Sequence, residues 1–78
     1  MTQQELKELK ENDIIRVLCR SGAMKGRRMQ AKFIELKHPS WDKKNKYYHF
    51  ENIGFTPYMG TIFTVSKEDL LTSNYTKF

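Results

Sequence analysis

A chain of 78 residues with 38% hydrophobic content has material for one small core and leaves no room for a second domain or an interdomain cleft. Its apolar runs of three or four residues fall far short of the roughly 20 that cross a bilayer, its first eleven residues lack the apolar centre of a secretory leader, and its one cysteine, Cys19, rules out an internal disulfide, so a cytoplasmic chain without a membrane role is expected. The net charge of +5 is concentrated in residues 16–32, where Arg16, Arg20, Lys25, Arg27, Arg28 and Lys32 stand with no acid among them.

Thr2 and Glu5 have capping-box spacing, and the good helix formers that follow, with Leu6 and Leu9 on one face, predict a helix over residues 3–11. So short a helix is marginal alone, and its leucines should dock on the rest of the chain. Asn12 and Asp13 end it. Residues 14–20 then alternate, with Ile15, Val17 and Cys19 on one side and Arg16, Leu18 and Arg20 on the other, which predicts a strand. The β-branched Ile14, Ile15 and Val17 argue against one continuous helix across 3–19.

After a loop with two glycines, a second strand is predicted over 28–37. Met29, Ala31 and Phe33 share one face, but Ile34 and Leu36 have the opposite parity, which predicts a bulge near Phe33 and Ile34. Residues 38–45 read as a loop, unusual for holding Trp41. A third strand over 46–53 sets Tyr48 and Phe50 against Tyr47, His49 and Glu51. Residues 54–60 turn, residues 61–65 form a fourth strand, Ser66 and Asp69 cap a helical turn over 67–71, and residues 72–78 read as a polar tail. The expected fold is a single mostly β (α+β) domain over 1–78: a short N-terminal helix and a strongly bent antiparallel sheet of four or five strands.

Facing the inward residues of the first two strands pairs Cys19 with Met29, Val17 with Ala31 and Ile15 with Phe33. Arg20 then opposes Arg28 and Arg16 opposes Lys32, with Lys25 and Arg27 in the connecting loop. Like charges opposed across a sheet are relieved by an anionic ligand, and backbone phosphates suit guanidinium groups. The plainer reading is a solvated face whose charges protect a sheet edge from aggregation.

Asp13, Ile15, Val17, Gly22, Lys25 and Gly26 resemble the KOW motif of transcription and ribosomal proteins, in which an acid opens an alternating strand and a Gly-x-x-Lys-Gly turn leads to the next. The likeness covers residues 13–34. Two extra residues precede Gly22, and Arg28, Met29 and Gln30 stand where the family has a further glycine. The resemblance implies a Src-homology-3-like barrel that binds RNA, DNA or the transcription and translation machinery. The length and the Lys, Asn and Tyr usage also resemble small accessory proteins of large bacteriophages.

Trp41 and Tyr47 lie among Lys43, Lys44 and Lys46, a combination on which single-stranded nucleic acid can stack. Tyr48, Phe50, Phe55 and Phe63 are expected in the core, and Trp41, Tyr47 and Tyr58 outside it. His38, Asp42, His49 and Glu51 match no zinc spacing, so no metal or cofactor is expected. Nothing marks a nucleophile, a phosphate loop or a paired acid and base, and no enzyme is expected, although His49 with Glu51 leaves open a toxin-like ribonuclease.

The candidate nucleic-acid-binding residues are therefore Arg16, Arg20, Lys25, Arg27, Arg28, Lys32, Trp41, Lys43, Lys44, Lys46 and Tyr47. The competing reading docks the same positive face on an acidic host protein of the transcription, translation or defence machinery. The chain is expected as a monomer or weak homodimer.

Overall fold

The computed structural model describes residues 1–19, 25–54 and 59–77. Helix α1 spans Gln3–Lys7 and begins with a reciprocal capping box, in which the Glu5 N–H donates to the Thr2 hydroxyl at 3.1 Å and the Thr2 N–H donates to the Glu5 carboxylate at 2.9 Å. It stops well before Glu11. The Leu9 N–H tightens onto the Leu6 carbonyl, the Asp13 carboxylate accepts the Lys10 N–H at 2.8 Å, and Asn12 takes a left-handed φ of 74°. Local side-chain bonding at Asp13 thus offers the backbone an alternative to the last helical turn.

Five strands follow: β1 (Ile14–Leu18), β2 (Arg28–Lys37), β3 (Tyr47–Asn52), β4 (Ile62–Val65) and, after helix α2 (Lys67–Leu70), β5 (Tyr75–Lys77). They make one antiparallel sheet in the order β4-β3-β2-β1-β5, with β4 and β5 at its edges. The Ser66 hydroxyl caps α2 by accepting the Asp69 N–H at 3.2 Å. The core gathers Ile15, Ala31, Phe33, Phe50 and Val65 from the strands with Met1, Leu6 and Leu70. The Phe50 ring lies 5.5 Å from Phe33 and 5.7 Å from Phe63. Tyr48 and Phe63 are half-buried against this cluster, and Phe55 lies outside the described residues.

The bulge expected near Phe33 and Ile34 is present: Phe33 pairs with Phe50, but Glu35 pairs with His49, so Ile34 is the extra residue. The expected polar tail is corrected in part. Tyr75–Lys77 is a strand on the free edge of β1, with Thr76 opposite Arg16 and Tyr75 against the core. The Met1 ammonium fastens this segment by donating to the carbonyls of Thr72 at 2.8 Å and Tyr75 at 2.6 Å. Among the described residues, no helix is long and apolar enough to cross a membrane.

Candidate nucleic-acid interface

The β1–β2 pairing keeps the faces that alternation predicts but slides by two residues. Ile15 faces Ala31, Val17 faces Met29, Arg16 faces Gln30 and Leu18 faces Arg28. The pairings of Cys19 with Met29, Val17 with Ala31, Ile15 with Phe33, Arg20 with Arg28 and Arg16 with Lys32 are therefore corrected. A two-residue slide preserves every side chain's face, so hydrophobic pattern alone does not choose between the registers. Two features set the observed one. At one end, Asn12 and Asp13 exchange hydrogen bonds of 2.8 Å with Phe33. At the other, the Cys19 carbonyl accepts the Gly26 N–H and its N–H donates to the Arg27 carbonyl, both at 2.8 Å, so two residues oppose one in a bulge that needs the left-handed φ of 84° at Gly26.

The slide also separates like charges. Arg16 becomes a diagonal neighbour of Arg28 and Lys32, at a backbone separation of roughly 7–8 Å, rather than the direct partner of either. Lys25, Arg27, Arg28 and Arg16 are exposed, and Arg20 lies outside the described residues. Lys32 is partly covered and stands 3.8 Å from the Glu51 carboxylate. Among the described residues, no carboxylate lies within salt-bridge distance of Lys25, Arg27 or Arg28. The Arg28 guanidinium reaches the Thr76 hydroxyl at 3.5 Å. Gln30 lies on the face that alternation predicts for it, whereas Thr76 is a polar group on this face that sequence reasoning misses, because residues 72–78 read as a tail.

Trp41, Lys43, Lys44, Lys46 and Tyr47 sit at the other end of β2, in and beside the β2–β3 connection. Ten residues of strand put about 30 Å between the two groups, so they are not one patch. The connection is held by Asp42. Its carboxylate accepts the N–H groups of Lys44 at 2.9 Å and Asn45 at 3.1 Å, the Asn45 side-chain amide at 3.1 Å and the Tyr47 hydroxyl at 3.4 Å. The Asn45 side chain, followed by these backbone donors, holds the Asp42 carboxyl below its ordinary range. The Asp-x-x-Asn spacing is the signal for this turn, and sequence reasoning passed over it.

Pro39 is buried at the start of the loop, and the His38 ring Nδ1 stands 3.0 Å from the Asn45 carbonyl. Trp41 is 67% exposed, its ring 6.1 Å from that of the half-buried Tyr47. Lys43, Lys44 and Lys46 are exposed, and Tyr58 lies outside the described residues. An open groove of about 330 Å³ runs beside Tyr47, lined also by Asn45, Lys46, Ser66, Lys67 and Glu68.

His49 is buried despite its place on the outward face, with Nδ1 2.9 Å from the Tyr47 carbonyl and Glu35 and Thr64 opposite it in the neighbouring strands. Among the described residues, no three His, Cys, Asp or Glu side chains gather as metal ligands would. Cys19 is a half-buried free thiol. Comparison with protein-family models, curated proteins and solved structures gives no match to this chain.

Proposed function

We propose that this chain is a small nucleic-acid-binding module whose basic hairpin end contacts backbone phosphates, with binding rather than catalysis as its role. One observation carries the reading: Lys25, Arg27 and Arg28 are exposed beside Arg16 at one end of the sheet, and no carboxylate among the described residues neutralises the first three. A local field of that kind attracts polyanions, and each cation that meets a phosphate releases a counterion.

The KOW-like residues 13–34 support the same reading, and with it a Src-homology-3-like barrel. One antiparallel sheet with a long bulged β2 shared by both of its halves supports a strongly bent sheet of this kind, although the order β4-β3-β2-β1-β5 is open.

The test is fluorescence anisotropy with labelled RNA and DNA across a salt series. The expected slope of log affinity against log salt is about −3 to −4 on duplex, one unit per contacting cation. The triple variant Lys25→Glu, Arg27→Glu, Arg28→Glu should lose binding while keeping its fold. Binding that ignores salt, or that survives the triple variant, overturns the proposal. So does capture of an acidic protein from lysate that nuclease treatment and excess nucleic acid leave unchanged.

A further inference from the structure

Large aromatic side chains rarely stand in solvent on an ordered loop, because exposing an indole forgoes much of the free energy its burial would release. Trp41 does so although its neighbours are well fixed. Asp42, next in the chain, makes four hydrogen bonds through its carboxylate and donates its own N–H to the Pro39 carbonyl at 3.3 Å, while buried Pro39 anchors the start of the loop. The loop thus holds the indole outward, next to the Tyr47 ring.

The charge along the loop itself is mainly positive. Lys43, Lys44 and Lys46 are exposed within five residues of the indole, and the one acid in the loop, Asp42, is occupied by backbone and amide donors. The groove beside Tyr47 adds one further cation, Lys67, and one acid, Glu68. A flat, exposed π-face with three exposed lysines within five residues of it fits a ligand with both a flat face and regularly spaced negative charge. In a duplex the base faces are stacked on one another and hidden, whereas in a single strand they are free. A lipid surface would call for more apolar side chains at the tip, and Trp41 is the one large apolar residue between His38 and Lys46.

Resting on the nucleic-acid reading above, we infer that Trp41 is a stacking platform for an unpaired base, with Lys43, Lys44 and Lys46 holding the flanking phosphates, so that the loop end of the sheet selects single strands over duplex. Tyr47 supports the indole from the side. The Asp42 turn acts as a positioning device, since it meets the loop backbone and not the ligand.

Trp41 is the sole tryptophan, so the emission of the full chain reports this site alone. The experiment titrates it with single-stranded oligothymidylate, with a hairpin duplex of equal phosphate count, and with phosphatidylserine–phosphatidylcholine vesicles, while anisotropy of labelled oligonucleotides measures affinity for wild type, Trp41→Ala and Trp41→Phe. Saturable quenching by the single strand is expected, with little change on duplex. Trp41→Ala should weaken single-strand binding by roughly 5- to 150-fold while duplex affinity holds, and Trp41→Phe should recover part of the loss.

If both nucleic acids bind but emission is unchanged and Trp41→Ala affects neither, stacking is overturned and the phosphate-binding module stands. If neither binds, both proposals fall. Quenching by vesicles and not by oligothymidylate overturns the inference in favour of an anionic lipid surface.

Discussion

Gly54 lies so close to Gln30 that a β-carbon on it would stand 2.8 Å from the Gln30 backbone nitrogen. The Ile53 N–H donates to the Gln30 carbonyl at 3.2 Å, so a side chain at position 54 would push the end of β3 away from β2. Gly54→Ala is expected to destabilise the fold by about 1–3 kcal/mol, as overpacking does, and to lower Tm by roughly 4–8 °C per kcal/mol. Gly26 differs. Open space surrounds it and only its φ of 84° opposes a side chain, so Gly26→Asn, a residue that tolerates this region, should be milder than Gly26→Ala. Thermal denaturation of the three variants checks the ranking.

The Asp42 turn should respond to acid. The Asn45 amide and the Lys44 and Asn45 N–H groups depress its carboxyl below the unfolded value, so their support is complete above the unfolded value and is lost as pH falls through the lower, folded one. Trp41 emission should stay flat from neutral pH through the ordinary aspartate range and shift only below it. In Asp42→Ala the shift should already be present at neutral pH. Glu5, lowered chiefly by the Thr2 N–H, titrates in the same direction, but Glu5→Gln should leave the Trp41 transition in place.

Glu51 sits 3.8 Å from Lys32 and offsets one cation on the outward face of the sheet. As both side chains are about a third exposed, Glu51→Gln should change stability by less than about 1 kcal/mol. It should tighten nucleic-acid binding and steepen the salt slope by about one unit as Lys32 becomes available to phosphate. Anisotropy at several salt concentrations measures both effects, and unchanged affinity would place Lys32 outside the contact surface.

The Met1 ammonium joins the beginning of the chain to the segment leading into β5 through two carbonyls. N-terminal acetylation removes the charge and leaves at most one donor. A loss of roughly 1.5–3 kcal/mol is expected, the usual worth of hydrogen bonds from a charged group. Urea denaturation of acetylated and free protein tests it. Hydrogen exchange should show the loss first at Tyr75–Lys77.

Parts of this fold were legible because a side chain advertises them. The parity change at Ile34 gave the bulge, and Ser66 with Asp69 gave the cap of α2. The β1–β2 register was not legible, since sliding by two leaves every residue on its face and the choice falls to hydrogen bonds at Asn12, Asp13 and Gly26. Tyr75–Lys77 has no strong strand signal in three residues and becomes a strand because β1 has a free edge there. In the candidate interface, the exposure of Arg16, Lys25, Arg27 and Arg28 followed from sequence, whereas Lys32 is partly covered beside Glu51 and Arg20 lies outside the described residues. The division of the cations into two groups did not follow, because it depends on β2 continuing past the bulge at Ile34 as one ten-residue strand that ends beside the second group.

That strand works as a fixed gauge. Ten residues of extended strand reach at most about 30 Å from Arg28 to Lys37, and an oligomer must cover that span to meet both groups of cations. A shorter oligomer can occupy only one terminus of the gauge at a time, whereas one long enough to reach both makes its second attachment intramolecular. Affinity plotted against oligomer length should therefore show a step, not a gradual climb.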